Sequence, residues 1–267
     1  MSSPTISVIT ATEASLWAEL RLRASAAAAA EPALTPVIER FVLSRRDFSE
    51  GLARRIAERL SNSPSESTLL SRVFEEVVVS NPLIAQQARA DLRAILERDP
   101  AAEHALIPFL WFKGFHAITA HRFAHVLWHQ GRREMALHVQ SLASQSMAVD
   151  IHPAAKFGTG ILLDHATGFV AGETAVVEDN VSFLHEVTLG GTGKTRGDRH
   201  PKIRSGVLVG AGAKILGNIV VGVGAKIGAG SVVLMDVPAH ATAAGVPAVL
   251  VGQPREDSPA NDMDHSI

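Results

Sequence analysis

The chain has 267 residues, 25 of them Lys or Arg against 27 Asp or Glu, and no cysteine. That length can bury a substantial core in one large or two smaller domains. The balanced charge excludes a global field that would recruit nucleic acid or an anionic membrane, and the missing cysteine excludes a disulfide framework and suits a reducing compartment. No apolar run is long enough for a membrane span, and the first residues lack the basic start and apolar core of a secretion signal, so a cytoplasmic location is expected.

In chain order, residues 1–148 are rich in Ala, Leu, Arg and Glu and poor in Gly, which is a helical composition. Apolar periodicity and Pro/Gly punctuation predict helices over Glu13–Ala30, Leu34–Phe48, Ser49–Leu60, Glu66–Ser80, Pro82–Glu97, Ala105–Gln130 and Arg133–Met147. His121, His125 and His129 recur at i, i+4 and i+8. Their neighbours Phe123, Val126, Leu127 and Trp128 make this a packing helix, with no carboxylate nearby to complete a metal site.

Near Val149 the composition changes: Gly, Val and Ile rise, and an apolar residue returns every sixth position. Ile151, Phe157, Leu163, Phe169, Ala175, Val181 and Val187 set the phase, which resumes at Ile203 and runs through Val209, Ile215, Val221 and Ile227 to Val233. A period of six belongs neither to a lone helix nor to an ordinary strand, so it marks a repeat architecture. The expected class is α+β: an all-α half over residues 1–148, then a parallel β-helix of hexapeptide repeats over 149–252, each coil burying an apolar column against the next. The segment 190–202 (GGTGKTRGDRHPK) interrupts the phase and is expected to project as a loop. Residues 253–267 are polar and aperiodic, and a flexible tail is expected there.

Chemistry-bearing residues cluster in the repeats. His165 follows the inward Leu163 and Asp164, and Asp150 lies fifteen positions earlier, close to one coil. Coils about 4.8 Å apart would let that carboxylate hold one ring nitrogen and leave the other as a general base; two solvated corner residues would carry the same spacing. Arg199 in the loop offers a planar fork for a carboxylate, beside His200. Lys194, Arg196, Lys202 and Arg204 give this stretch a positive excess suited to a phosphate-bearing cofactor.

The motifs VDIHPAAK (149–156), LDHATG (163–168), GETAV (172–176), TLGGTGK (188–194), GDRHPKI (197–203), GAGAKILGNI (210–219), GAKIGAGSVV (224–233) and AAGVPA (243–248) closely resemble serine O-acetyltransferase in order and spacing, with RDPA (98–101) and KGFHA (113–117) extending the match. The resemblance implies a left-handed β-helix, a homotrimer with sites between chains, and helical halves pairing two trimers. It implies acetyl transfer from acetyl-CoA to the L-serine hydroxyl, giving O-acetyl-L-serine for L-cysteine biosynthesis, without a metal. By motif, His165 is the general base and Asp150 its partner. Asp99 and Asp164 hold the serine amino group, Arg199 its carboxylate, and His200 assists. Gly191, Thr192, Ala211, Lys226 and Ala229 line the CoA groove. L-cysteine would use the serine pocket as a feedback inhibitor, and the terminal Ile267 would enter the active site of O-acetylserine sulfhydrylase. Phe183–Glu186 departs from the usual family residues near the CoA entrance.

Three alternative readings fit the residues less well. Transfer to a sugar or to homoserine on the same fold suits Arg199 with two carboxylates less well than a zwitterionic amino acid. A carbonic-anhydrase-like zinc enzyme needs three facing His, which His152, His165, His185 and His200 do not supply by spacing. A non-catalytic scaffold would not need the Asp150, His165 and Arg199 set.

Overall fold

The computed structural model describes residues 13–193 and 196–267; Lys194, counted above in the basic loop, lies outside them. The helical half comprises α1 (Glu13–Ala30), a 3-10 turn (Pro32–Leu34), α2 (Thr35–Ile38), a π-helical turn (Glu39–Leu43), α3 (Phe48–Leu60), α4 (Pro64–Ser80), α5 (Leu83–Arg98), α6 (Leu106–Trp111), α7 (Lys113–His129) and α8 (Arg133–Met147). Two expected helices are broken. Leu34–Phe48 is not one helix: Asp47 is extended and its carboxylate caps the Glu50 N–H at 2.9 Å, so a new helix starts there. Ala105–Gln130 divides at Phe112, whose extended backbone (ψ 115°) redirects α7 so that Gly114 lies against the Leu163 carbonyl with no room for a Cβ.

Five coils follow. They are β1 (Val149–Ile151), β2 (Lys156–Phe157) and β3 (Leu162–Leu163); β4 (Phe169–Ala171), β5 (Val176–Val177) and β6 (Ser182–Phe183); β7 (Thr188–Gly190), β8 (Lys202–Ile203) and β9 (Leu208–Val209); β10 (Lys214–Leu216), β11 (Val220–Val221) and β12 (Lys226–Ile227); and β13 (Val232–Val233), β14 (Thr242–Gly245) and β15 (Ala248–Gly252). Equivalent strands stack into three sheets, parallel throughout except that β15 turns back antiparallel on β14. Side chains at matching positions form buried columns, such as Leu163, Phe183, Val209 and Ile227. Each such side chain contributes about 1.5–3 kcal/mol relative to exposure.

The six-residue phase slips at one corner. Leu163 pairs with Phe183 and Ala171 with Leu189, so eight positions separate the first strand ends where six separate the second. The corner holding His165 therefore carries two extra residues.

The two halves are joined by buried polar contacts. On α5, Asp91 pairs with Arg122 of α7 at 2.7 Å, and both are almost fully buried. Arg122 also donates to the Gly158 carbonyl at 2.9 Å, while Asp91 accepts the Ile161 N–H at 2.9 Å. Arg98 donates to the Gly160 carbonyl. Each buried charge thus finds a partner on the solenoid.

The tail makes contacts with the solenoid. Residues 253–267, where a flexible tail is expected, fold back along it. A short helix α9 (Pro259–Asp262) buries Ala260, whose carbonyl accepts the buried Ser182 hydroxyl at 2.8 Å. That hydroxyl needs an acceptor, and the small Ala side chain lets the tail backbone approach to supply one. Farther on, Lys226 donates to the Ser266 carbonyl and Ile267 lies against Gly228. Among the described residues no helix is long and apolar enough to cross a membrane.

Candidate active site

The enlarged corner, Asp164–Gly168, displays His165. Both His165 and Ala166 adopt left-handed backbone (φ 54° and 61°), and Ala166 is fully buried beneath the turn. The His165 side chain is 74% exposed and its Nε2 stands 3.7 Å from Asp164 Oδ2. It opens into a cavity of about 530 Å³, lined also by Asp99, Trp111, Lys113 and Thr167. Asp99 sits at the C-terminal end of α5. The expected base and both expected amino-group ligands thus share one cavity. Strand pairing also places His165, His185, Ala211 and Ala229 at the same position of successive coils, two residues past Leu163, Phe183, Val209 and Ile227. Lys226 is on β12 of the same face, buried under the tail.

A second group gathers at the next corner, beyond the other edge of the sheet that contains β1, β4 and β7. There Thr174 Oγ1 accepts the N–H groups of Arg199 (3.0 Å) and His200 (3.1 Å), pinning the loop to the coil beneath it. The Thr174 N–H donates to His200 Nδ1 at 3.2 Å, which leaves the ring proton on Nε2. Burial, with Arg199 and Lys202 close by, lowers the His200 pKa and keeps the imidazole neutral. Its ring lies directly on Gly172, where a Cβ would collide with it. Arg199 is held by Glu173, and that hydrogen bond lowers the Glu173 pKa. Lys202 pairs with Asp198 at 2.6 Å. Gly191 and Thr192 begin the loop at this same corner.

Asp150 does not reach His165 within the chain. It lies mid-face on β1, in register with Val170, and accepts a hydrogen bond from Gln140 Nε2 at 2.6 Å. The strand register sets Asp150 under Val170 of β4, the strand beyond His165. One chain therefore brings together Asp99, Asp164 and His165 at one corner and Arg199 with His200 at another. Glu173, Thr174 and Lys113 escaped the sequence reading, although GETAV and KGFHA contain them. His121, His125 and His129 pack ring against ring, and His125 Nδ1 donates to the Pro153 carbonyl at 2.7 Å. No cluster of three His, Cys, Asp or Glu among the described residues is placed to hold a metal ion.

Comparison with known proteins places this geometry. The family pattern described as serine acetyltransferase, N-terminal, matches residues 16–120. The serine acetyltransferase of Salmonella typhimurium is 52% identical over 249 residues, covering 93% of this chain and 91% of that protein. The chain belongs to the serine acetyltransferase family. Among solved structures of serine acetyltransferases, one from Brucella abortus in complex with coenzyme A superposes with TM-score 0.87 at 51% identity, covering 89% of this chain and 95% of that one. The soybean protein complexed with serine gives TM-score 0.87 at 52% identity, covering 90% and 98%. A third serine acetyltransferase, in complex with cysteine, gives 0.93 at 48%, covering 96% and 100%.

Proposed function

We propose that the protein transfers the acetyl group of acetyl-CoA to the hydroxyl of L-serine, giving O-acetyl-L-serine, the acceptor from which L-cysteine is made. The observation that carries this reading is the shared cavity of His165, Asp99 and Asp164, on the same edge as Ala211 and Ala229. The serine hydroxyl is a poor nucleophile. His165 takes its proton as the oxygen attacks the thioester carbonyl, and returns a proton to the departing thiolate. Asp99 and Asp164 suit an ammonium, and Arg199 suits a carboxylate through its fork.

Arg199 and His200 lie at a different corner of the same chain from His165. A homotrimer packing one corner of each chain against the other corner of its neighbour would complete the site, with Asp150 of that neighbour orienting the imidazole. The same packing would form the acetyl-CoA groove from Gly191 and Thr192 on one side and Ala211, Lys226 and Ala229 on the other. The helical half, residues 1–148, would pair two trimers. L-cysteine carries the same ammonium and carboxylate as serine and is the natural competitor for the pocket; the cysteine complex of a relative supports this. Ile267, 70% exposed, is the proposed handle for O-acetylserine sulfhydrylase. Deleting it should abolish sulfhydrylase binding in a titration, and unchanged binding would exclude that role. The charge balance and lack of cysteine favour the cytoplasm.

The deciding experiment is CoA release from acetyl-CoA with L-serine, homoserine and a galactoside as acceptors, for the wild type and His165→Ala. Serine should be strongly preferred, and the variant's kcat should fall by about 10²–10⁴. Faster transfer to a galactoside would overturn the reading.

A further inference from the structure

The turn that carries His165 is an unusual piece of backbone. Two consecutive residues with side chains, His165 and Ala166, sit in the left-handed region. Such residues stay there only when their surroundings hold them. The solenoid supplies part of the hold: Glu186 N–H donates to the Thr167 carbonyl at 2.7 Å, and Gly168 N–H to the Ala148 carbonyl at 2.8 Å. The helical half supplies the rest from the first turn of α7. Gly114 lies flat against the Leu163 carbonyl on one side of the turn, and the Lys113 ammonium donates to Thr167 Oγ1 on the other. Lys113 is also the only Lys or Arg among the described residues lining the cavity that holds Asp99, Asp164 and His165.

We infer that Lys113 is a positioning residue for acetyl transfer: through Thr167 it fixes the turn that aims the His165 imidazole. The inference rests on the acetyl-transfer reading above. Partial burial, with Arg59 near, lowers the Lys113 pKa. A base misplaced by about an ångström can cost on the order of 10²-fold in rate.

The test compares Lys113→Met, Thr167→Val, the double variant and Lys113→Arg with the wild type and His165→Ala. Lys113→Met and Thr167→Val should each lower kcat by about 10–100-fold while KM for serine and for acetyl-CoA stays within about twofold. The melting temperature should stay close to that of the wild type. Both substitutions remove one and the same hydrogen bond, so the double variant should be no slower than the worse single variant. Lys113→Arg should recover part of the rate. A kcat within twofold of wild type for Lys113→Met, or losses that multiply in the double variant, would overturn the inference. If Lys113→Met does not fold, Thr167→Val breaks the same bond from the solenoid side and decides alone. A wild type that releases no CoA with serine would overturn the acetyl-transfer reading instead, so the two failures are distinct.

Discussion

Arg199 places its terminal nitrogen 2.8 Å from Glu173 Oε2, so the guanidinium proposed to meet a substrate carboxylate already holds a carboxylate of its own chain. The substrate must share or displace that partner, and the fork is oriented before it arrives. A charge-assisted hydrogen bond contributes about 1.5–3 kcal/mol, roughly 10–150-fold. Arg199→Ala should therefore raise KM for serine by about that factor and leave KM for acetyl-CoA nearly unchanged. Arg199→Lys should recover little, because it lacks the bidentate fork. Steady-state kinetics in both substrates checks this; equal rises in the two constants would mean that the loop binds the cofactor.

Gly172 is fixed by contact, not by backbone conformation. The His200 ring occupies the space where its Cβ would stand, while Thr174 anchors that ring from behind. Gly172→Ala should push the imidazole out and reduce kcat/KM for serine by at least about tenfold, with little change in circular dichroism. Gly252→Ala, where an added Cβ meets nothing, is the matched control and should behave as wild type. Equal activity of the two variants would show that the position of His200 is immaterial.

The Asp91–Arg122 pair is the seam between the halves. Removing one member strands the other as a buried charge, which typically costs about 3–5 kcal/mol. Arg122→Met should lower stability to urea by about that amount. Adding Asp91→Asn should return part of the loss, since the stranded charge is then gone. A loss under about 1 kcal/mol for Arg122→Met would show that the seam is held mainly by its apolar contacts.

Acid should loosen the helical half first. Burial, reinforced by Arg55, pushes the His116 pKa down to about 3, and burial drives that of His121 well below its ordinary value. Unfolded, each ring takes a proton near pH ~6.5; folded, neither does so until the solution is far more acidic. The stability they confer is complete above that pH. It drains as pH falls toward the folded values, by about 1.4 kcal/mol per pH unit for each ring. Urea midpoints should fall steeply between pH 6.5 and 5 as a result, and His116→Gln should flatten the slope. A slope unchanged by that substitution would remove His116 from the explanation.

The hexad period made the solenoid legible, because identical apolar columns must recur at a fixed spacing to stack. The periodicity could not show the two extra residues at Asp164–Gly168: Phe169 is apolar and inward, so the count of six from Leu163 seems to continue while the true partner in register is Ala171. The hexad count does not supply the strand register either, and that register is what sets Asp150 under Val170 instead of His165 within one chain. Glu173 and Thr174 were illegible because their roles depend on a loop some twenty-five residues later folding back over them. The tail's contact with Ser182 was not legible, because polar composition says nothing of one buried hydroxyl awaiting an acceptor.

The column His165, His185, Ala211, Ala229 is also a ruler. Coils rise by about 4.8 Å, so three steps carry the edge roughly 14 Å from the imidazole to the last glycine-flanked alanine. An acyl carrier laid along this edge has its reach dictated by an integer number of coils. Lengthening a loop leaves that interval untouched, whereas inserting or deleting one coil between His165 and Ala229 would change it by a full step of about 4.8 Å. The gauge of this edge can therefore change only in whole rungs.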